Sequence, residues 1–180
     1  MKIYPLMMLP LLALLPYHFA SAASEDTWED ISDVGVTALL STAVLLPTSR
    51  RDWEGLRQSV YSIGSGLGIT AIGKALIDDE RPDNSGDDSF PSGHATNAFS
   101  SATTLYRRYG WEIGFPAYAL ATLTGVARER ARRHRWGDVA AGAVIGTATG
   151  WLFTDAFNNK VQLVPWVASK GGGISLSMRW

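Results

Sequence analysis

Along the chain, apolar residues recur at helical spacing in blocks broken by polar or turn-forming residues, and beyond about residue 160 the period changes to two. Thr27 with Asp30 makes a capping-box pattern that opens a first helix, which runs to Leu46 and stops at Pro47. Ser49 with Asp52 repeats the signal and opens a second helix through Ile77. Residues 78–90 hold Asp, Asn, Ser, Gly and Pro82 with no apolar period, which predicts a polar loop. A third helix is expected from His94 to Tyr109, ended by Gly110, a fourth from Glu112 to Arg130, and a fifth from His134 to Asn158. Gly142, Gly146 and Gly150 recur every four residues on the fifth, a spacing that lets two helices approach closely. In the tail, Val161, Leu163, Pro165 and Val167 alternate, Gly171-Gly172-Gly173 turn, and Ile174, Leu176, Met178 and Trp180 alternate again, which reads as a β-hairpin. The fold expected is mainly α: a compact helical bundle of about five helices, over about 27–158, with a C-terminal β-hairpin over about 161–180.

The start of the chain reads as an address. Lys2, an apolar stretch from Leu6 to Leu15 and the ending Ala20-Ser21-Ala22 have the pattern of a secretory signal over residues 1–22, leaving one domain over 23–180. Localisation is therefore expected to be exported, periplasmic or membrane-associated. The mean hydropathy is only +0.02, and the run Val34–Leu46 is too short to span a bilayer, which favours a soluble or surface-associated domain over a membrane bundle. A net charge of −1 offers no global field for nucleic acid. With no cysteine and three histidines, of which His18 lies in the signal, thiolate chemistry is excluded and a zinc site is poorly supplied.

Three clusters carry candidate chemistry. Lys74 and Arg81, seven residues apart and followed by Pro82, can face one way near the end of the second helix, although the acidic residues around Arg81 make ion pairing a rival role. In Pro91-Ser92-Gly93-His94, Ser92 can cap the third helix, Gly93 lets backbone approach a ligand, and the helix N-terminus suits an anion beside His94. In the third cluster, Arg128 precedes His134, and Asp138 follows four residues later, so one helical face would let the carboxylate hold one ring nitrogen and free the other. A metal pair or a structural hydrogen bond are the rivals there. The five arginines between 128 and 135 could equally form a basic surface for anionic lipid or nucleic acid.

Taken in order, these clusters resemble the type 2 phosphatidic acid phosphatase superfamily, which includes bacterial acid phosphatases, lipid phosphate phosphatases and vanadium haloperoxidases. Its pattern is K-x6-RP, PSGH and SR-x5-H-x3-D; the resemblance spans roughly residues 60–155, and Ala127 stands where the pattern has Ser. The resemblance implies a metal-independent phosphatase, a phosphoric ester or diphosphate hydrolase, with no cofactor. His134 would attack phosphorus to form a phosphohistidine, Asp138 would orient it, and His94 would protonate the leaving oxygen and then activate water. Lys74, Arg81, Arg128, Ser92 and Gly93 would bind phosphate. The expected partners are a phosphorylated substrate, lipid-linked or soluble, and a membrane surface, with no nucleic acid. The alternative is a non-catalytic anion- or lipid-binding protein using the same basic pocket.

Overall fold

The computed structural model describes residues 23–155, 161–168 and 171–178, so the expected signal over 1–22 and the expected helix end at Asn158 lie outside the described residues. Its elements are α1 (Glu25–Ser49), α2 (Trp53–Leu76), α3 (Gly93–Tyr109), α4 (Trp111–Arg130), α5 (Trp136–Phe153), β1 (Val161–Ala168) and β2 (Gly171–Met178). The strands pair antiparallel, with Leu163 opposite Leu176 and Ala168 opposite Gly171. A helical protein with a terminal hairpin is thus the observed class. One detail differs: Gly171–Gly173 pair with Ala168–Trp166 inside the ladder and do not form the turn.

Boundaries follow side-chain caps. The Asp52 carboxylate accepts the amide of Gly55 at 2.9 Å to start α2, and Ser92 caps α3 at the amide of Ala95. Gly110 ends α3 at a φ of 86°, a left-handed value that a residue with a Cβ adopts at a cost. Two ends differ from the sequence expectation. α1 begins one turn early, because the Ser24 hydroxyl accepts the Thr27 amide at 3.2 Å. It then runs through the buried ring of Pro47, which removes only one ladder donor near the helix end. At 25 residues it has an apolar window of mean hydropathy 1.5, and among the described residues it is the one helix long and apolar enough to cross a membrane. The expectation that this region is too short is corrected.

α3 lies at the centre, packing most extensively on α5 and α4 and also touching α1 and α2. Its buried face is made of small side chains, with Ala95, Ala98 and Ala102 fully enclosed. Hydroxyls fill the seams: Ser62 and Ser100 bond at 2.7 Å, Thr70 donates to Thr96 at 3.0 Å, and Thr154 to Thr104 at 3.1 Å. Large apolar side chains point the other way, among them Val34, Leu76, Trp111 and Phe115, each at least 70% exposed. A low average hydropathy therefore conceals an apolar exterior around a small-residue, hydroxyl-rich interior.

The glycine stripe of α5 makes the closest seam. A Cβ on Gly142 would lie 2.5 Å from the Ser92 carbonyl oxygen; one on Gly146 would strike Thr96 backbone, and one on Gly150 would strike the Thr103 side chain. By contrast, a Cβ on Gly137 meets nothing within 4 Å. Gly142→Ala is expected to lower stability by about 1–3 kcal/mol through overpacking. Gly137→Ala, which only adds helix propensity, should raise it by about 0.5–1 kcal/mol. Thermal or denaturant unfolding of the two variants checks the contrast.

Candidate active site

The N-terminal end of α3, the C-terminal end of α2, the turn between α4 and α5 and one face of α1 enclose a cavity of about 440 Å³. Lys74, Arg81, Gly93, His94, Arg128 and His134 line it, all of them singled out in the sequence. Ser92 and Asp138, also singled out, stand behind its wall. Glu29, Asp33, Val36, Thr37 and Asp88 complete the lining and carried no motif signal.

Each cation is delivered by a different local device. Lys74 sits in the last turn of α2, and its ammonium donates to the Asp88 backbone carbonyl and lies 3.4 Å from the Asp88 carboxylate. Arg81 projects from the loop and grips the same carboxylate with a fork, Nε at 2.8 Å and a terminal nitrogen at 3.1 Å. Burial works to raise the pKa of Asp88, and the Arg81 and Lys74 cations outweigh it, so the carboxyl is held below its ordinary range. The ion-pairing role considered for Arg81 is thus present, with Asp88 as the partner. Arg128, 4% exposed near the end of α4, donates to Ser32 Oγ at 3.2 Å and lies 3.8 Å from Asp33 and 3.9 Å from Glu29. Its Nε is buried without a partner, so the guanidinium retains donor capacity.

His134 is not on the helix that follows. α4 ends at Arg130, Arg132 takes a positive φ of 55°, and the amides of Arg133 and His134 both turn back to the Arg128 carbonyl. α5 then starts at Trp136, with Asp138 in its first turn accepting the Arg135 amide at 2.8 Å. The four-residue spacing is therefore a capping arrangement rather than one helical face. The Asp138 carboxylate also accepts the Ser89 hydroxyl at 2.6 Å and lies 3.8 Å from His134 Nδ1, beyond hydrogen-bond length. Nδ1 itself is buried without a partner. Burial first, then Arg128, Lys74 and Arg81, push the His134 pKa down to about 3, which keeps the imidazole neutral and a ring nitrogen available for attack.

His94 begins α3 and donates or accepts through Nε2 at 2.8 Å from Asp33 Oδ1. Burial and Arg128 lower its pKa, against the opposing pull of Asp33 and Glu29. At Gly93 the helix N-terminus opens onto the cavity, while the Ser92 hydroxyl faces the helix as its cap. A backbone bond from Ser92 N to the Asp138 carbonyl, 3.0 Å, ties the two motifs together.

Three further arginines of the run bond to the loop and to α1. Arg133 reaches Glu29 at 2.8 Å and Asp83 at 3.0 Å, Arg135 reaches Asp79 at 3.0 Å and the Glu80 carbonyl at 2.8 Å, and Arg132 reaches the Pro82 carbonyl at 3.3 Å. These bonds fasten the acidic loop and α1 over the site, while Arg130, 56% exposed, lies 3.8 Å from Glu129. No cluster of three or more metal-ligating side chains occurs among the described residues.

Residues 55–162 match the PAP2 superfamily. A Helicobacter pylori lipid A 4'-phosphatase is 40% identical over 96 residues, covering 50% of this chain and 48% of that protein. A Porphyromonas gingivalis lipid A 1-phosphatase is 36% identical over 89 residues, 47% of this chain and 20% of that one. The chain thus matches about half the length of the first relative and a fifth of the second. In fold it is similar to Aquifex aeolicus LpxE, with a TM-score of 0.63, 22% identity and coverage of 74% of this chain and 88% of that one. It is similar too to a transmembrane PAP2-type phosphatidylglycerolphosphate phosphatase from Bacillus subtilis, with a TM-score of 0.58, 22% identity and coverage of 72% and 74%.

The buried neutral histidine has a stability signature. An unfolded chain titrates this imidazole near 6.5 and the folded one near 3, so between those values only the unfolded chain takes up the proton. The contribution is intact above 6.5 and is lost as pH falls through that window, by up to about 1.4 kcal/mol per pH unit. His134→Gln is therefore expected to show a shallower fall of melting temperature between pH 6.5 and 4 than the wild type. Parallel curves would contradict it.

Proposed function

Because the chain belongs to the PAP2 superfamily, we propose that it is a phosphatase that hydrolyses lipid phosphates or diphosphates without a metal, through a phosphohistidine. The observation that carries this reading is His134: a buried imidazole held neutral, in a cavity with Lys74, Arg81 and Arg128. A neutral imidazole is a nucleophile, and three cations around it stabilise the charge that spreads over the phosphoryl oxygens in the transition state.

In this mechanism the phosphoryl oxygens displace Asp88 and Asp33 from Lys74, Arg81 and Arg128 and take the amide of Gly93 at the helix N-terminus. His134 attacks phosphorus as the bond to the leaving oxygen breaks, and His94 gives that oxygen a proton. The phosphohistidine ring is cationic, and the Asp138 carboxylate, 3.8 Å from Nδ1, stabilises it and fixes its orientation. Neutral His94 then takes a proton from the water that attacks phosphorus, which frees His134 and restores the imidazolium of His94. Ser92 acts through the backbone, holding Gly93 and His94 at the start of α3.

The lipid-linked substrate class comes from two supports. Two relatives, 40% and 36% identical over about half of this chain, carry the names lipid A 4'-phosphatase and lipid A 1-phosphatase. The exterior of the bundle is apolar, with Leu76, Trp111 and Phe115 turned outward, as a protein working against a membrane requires. Export to the periplasm is part of the same reading, since the N-terminal pattern is that of a secretory signal.

The test is phosphate release by the purified full chain from phosphatidic acid, a lipid diphosphate and a soluble phosphomonoester, with and without EDTA. Lipid substrates should be preferred and EDTA should leave the rate unchanged. His134→Ala should lower kcat by about a thousandfold or more, and Asp138→Asn by about a hundredfold. A folded His134→Ala protein with wild-type turnover, or binding of these substrates without release of phosphate by the wild type, would overturn the reading. Orthovanadate, which becomes five-coordinate when a nucleophile joins it, should inhibit and raise the melting temperature, and His134→Ala should weaken both effects.

A further inference from the structure

The matched region begins at residue 55, so α1 lies outside it. Yet α1 brings two carboxylates to the cavity, Glu29 and Asp33, one helical turn apart. Glu29 is engaged by Arg133 at 2.8 Å. Asp33 faces the reacting groups: its Oδ1 lies 2.8 Å from His94 Nε2 and 3.8 Å from Arg128. Its side chain is 56% exposed, with the Ser32 hydroxyl 3.5 Å from the same oxygen. An exposed pair of this kind adds little to folding, so stability gives no strong account of the contact. Its place does, because it stands at the nitrogen that would meet a leaving oxygen.

We propose that Asp33 is a positioning residue, which aims the His94 ring and favours its protonated form against the surrounding cations, and yields its hydrogen bond to the leaving oxygen when substrate enters. The inference rests on the phosphatase reading above. In the step itself the bond from His134 to phosphorus forms, the bond from phosphorus to the leaving oxygen breaks, and the proton on His94 Nε2 moves to that oxygen. The attacking water later returns a proton to His94, and Asp33 Oδ1 takes up Nε2 again.

The surroundings make such a residue necessary. From α4, Arg128 disfavours a charge on His94, as does burial; from α1, Asp33 and Glu29 favour it. Lys74, Arg81, Asp88 and His134 line the rest of the same cavity. A phosphate pocket gathers cations, and those cations expel the proton from the acid that must donate it. Asp33 is the carboxylate in hydrogen-bond contact with that acid, and it offsets part of their effect.

The experiment is kcat/KM against pH for wild type, Asp33→Asn and Asp33→Glu, since this ratio reports groups of the free enzyme, in which the contact exists. Short-chain phosphatidic acid, whose alkoxide needs a proton to leave, is compared with p-nitrophenyl phosphate, whose leaving group does not. The neutral Asn removes the favourable charge, the His94 pKa falls, and the basic limb for phosphatidic acid should move down by about one pH unit. Above that limb the loss should be about tenfold for phosphatidic acid and much smaller for p-nitrophenyl phosphate. Asp33→Glu should recover the limb in part, and vanadate affinity of Asp33→Asn should be equal to or tighter than wild type, because Arg128 is released. An unmoved limb, equal losses on the two substrates, or a parallel loss of vanadate binding would overturn the inference while an active wild type leaves the phosphatase reading standing. A folded wild type that releases phosphate from neither these two nor the lipid diphosphate would overturn both.

Discussion

Everything at the site depends on how closely α5 can approach α3. The glycine stripe lets backbone meet backbone there, with Gly142 beneath the Ser92 carbonyl and Gly146 beneath Thr96. The bond from Ser92 N to the Asp138 carbonyl at 3.0 Å closes the seam at its upper end. Two motifs separated by some forty residues thereby become one rigid unit, the start of α3 bearing Gly93 and His94, and the start of α5 bearing the turn with His134. Side chains of ordinary size in that seam would push the two histidines apart, and geometry at a reacting centre tolerates little displacement.

Around that unit, charge is divided by depth. Arg128 and His134 lie deep, 4% and 2% exposed, with polar atoms left unpartnered. Their unused bonding capacity is costly in a folded protein and is retained where a ligand completes it. Arg132, Arg133 and Arg135 lie further out and are matched to Pro82, Asp83, Asp79 and Glu80 of the loop and to Glu29 of α1. The same short run of sequence thus supplies one reacting-site cation and a set of fasteners that keep the acidic loop, with Arg81, over the pocket.

Much of this was legible in the sequence, and the misses have physical causes. α2, α3 and α4 fall close to their expected bounds because Asp52, Ser92 and Gly110 punctuate them locally. The first helix overran Pro47 because a buried proline in the last turn removes a single bond, which packing offsets. The fifth helix began late because a histidine four residues before an aspartate fits a helical face and a capped turn equally, and only the left-handed backbone at Arg132 separates them. Asp33 and Ser89 carried no signal at all: their roles come from the packing of α1 and the loop over distant segments, which no local pattern encodes. The outward-facing large residues were masked by an average, since hydroxyls and glycines inside the bundle offset leucines and tryptophans outside it.

The carboxylate of Asp88 has a last consequence for rate. Arg81 and Lys74 are both held by this internal anion. Phosphate entering such a pocket replaces one anion with another, so its gain is the difference between two similar interactions rather than the whole of one. Inorganic phosphate, which lacks the rest of the substrate, therefore has little to retain it. On the phosphatase reading, Asp88 is close enough to reclaim both cations as phosphate leaves, so the loop that would bind the substrate would also speed the release of product.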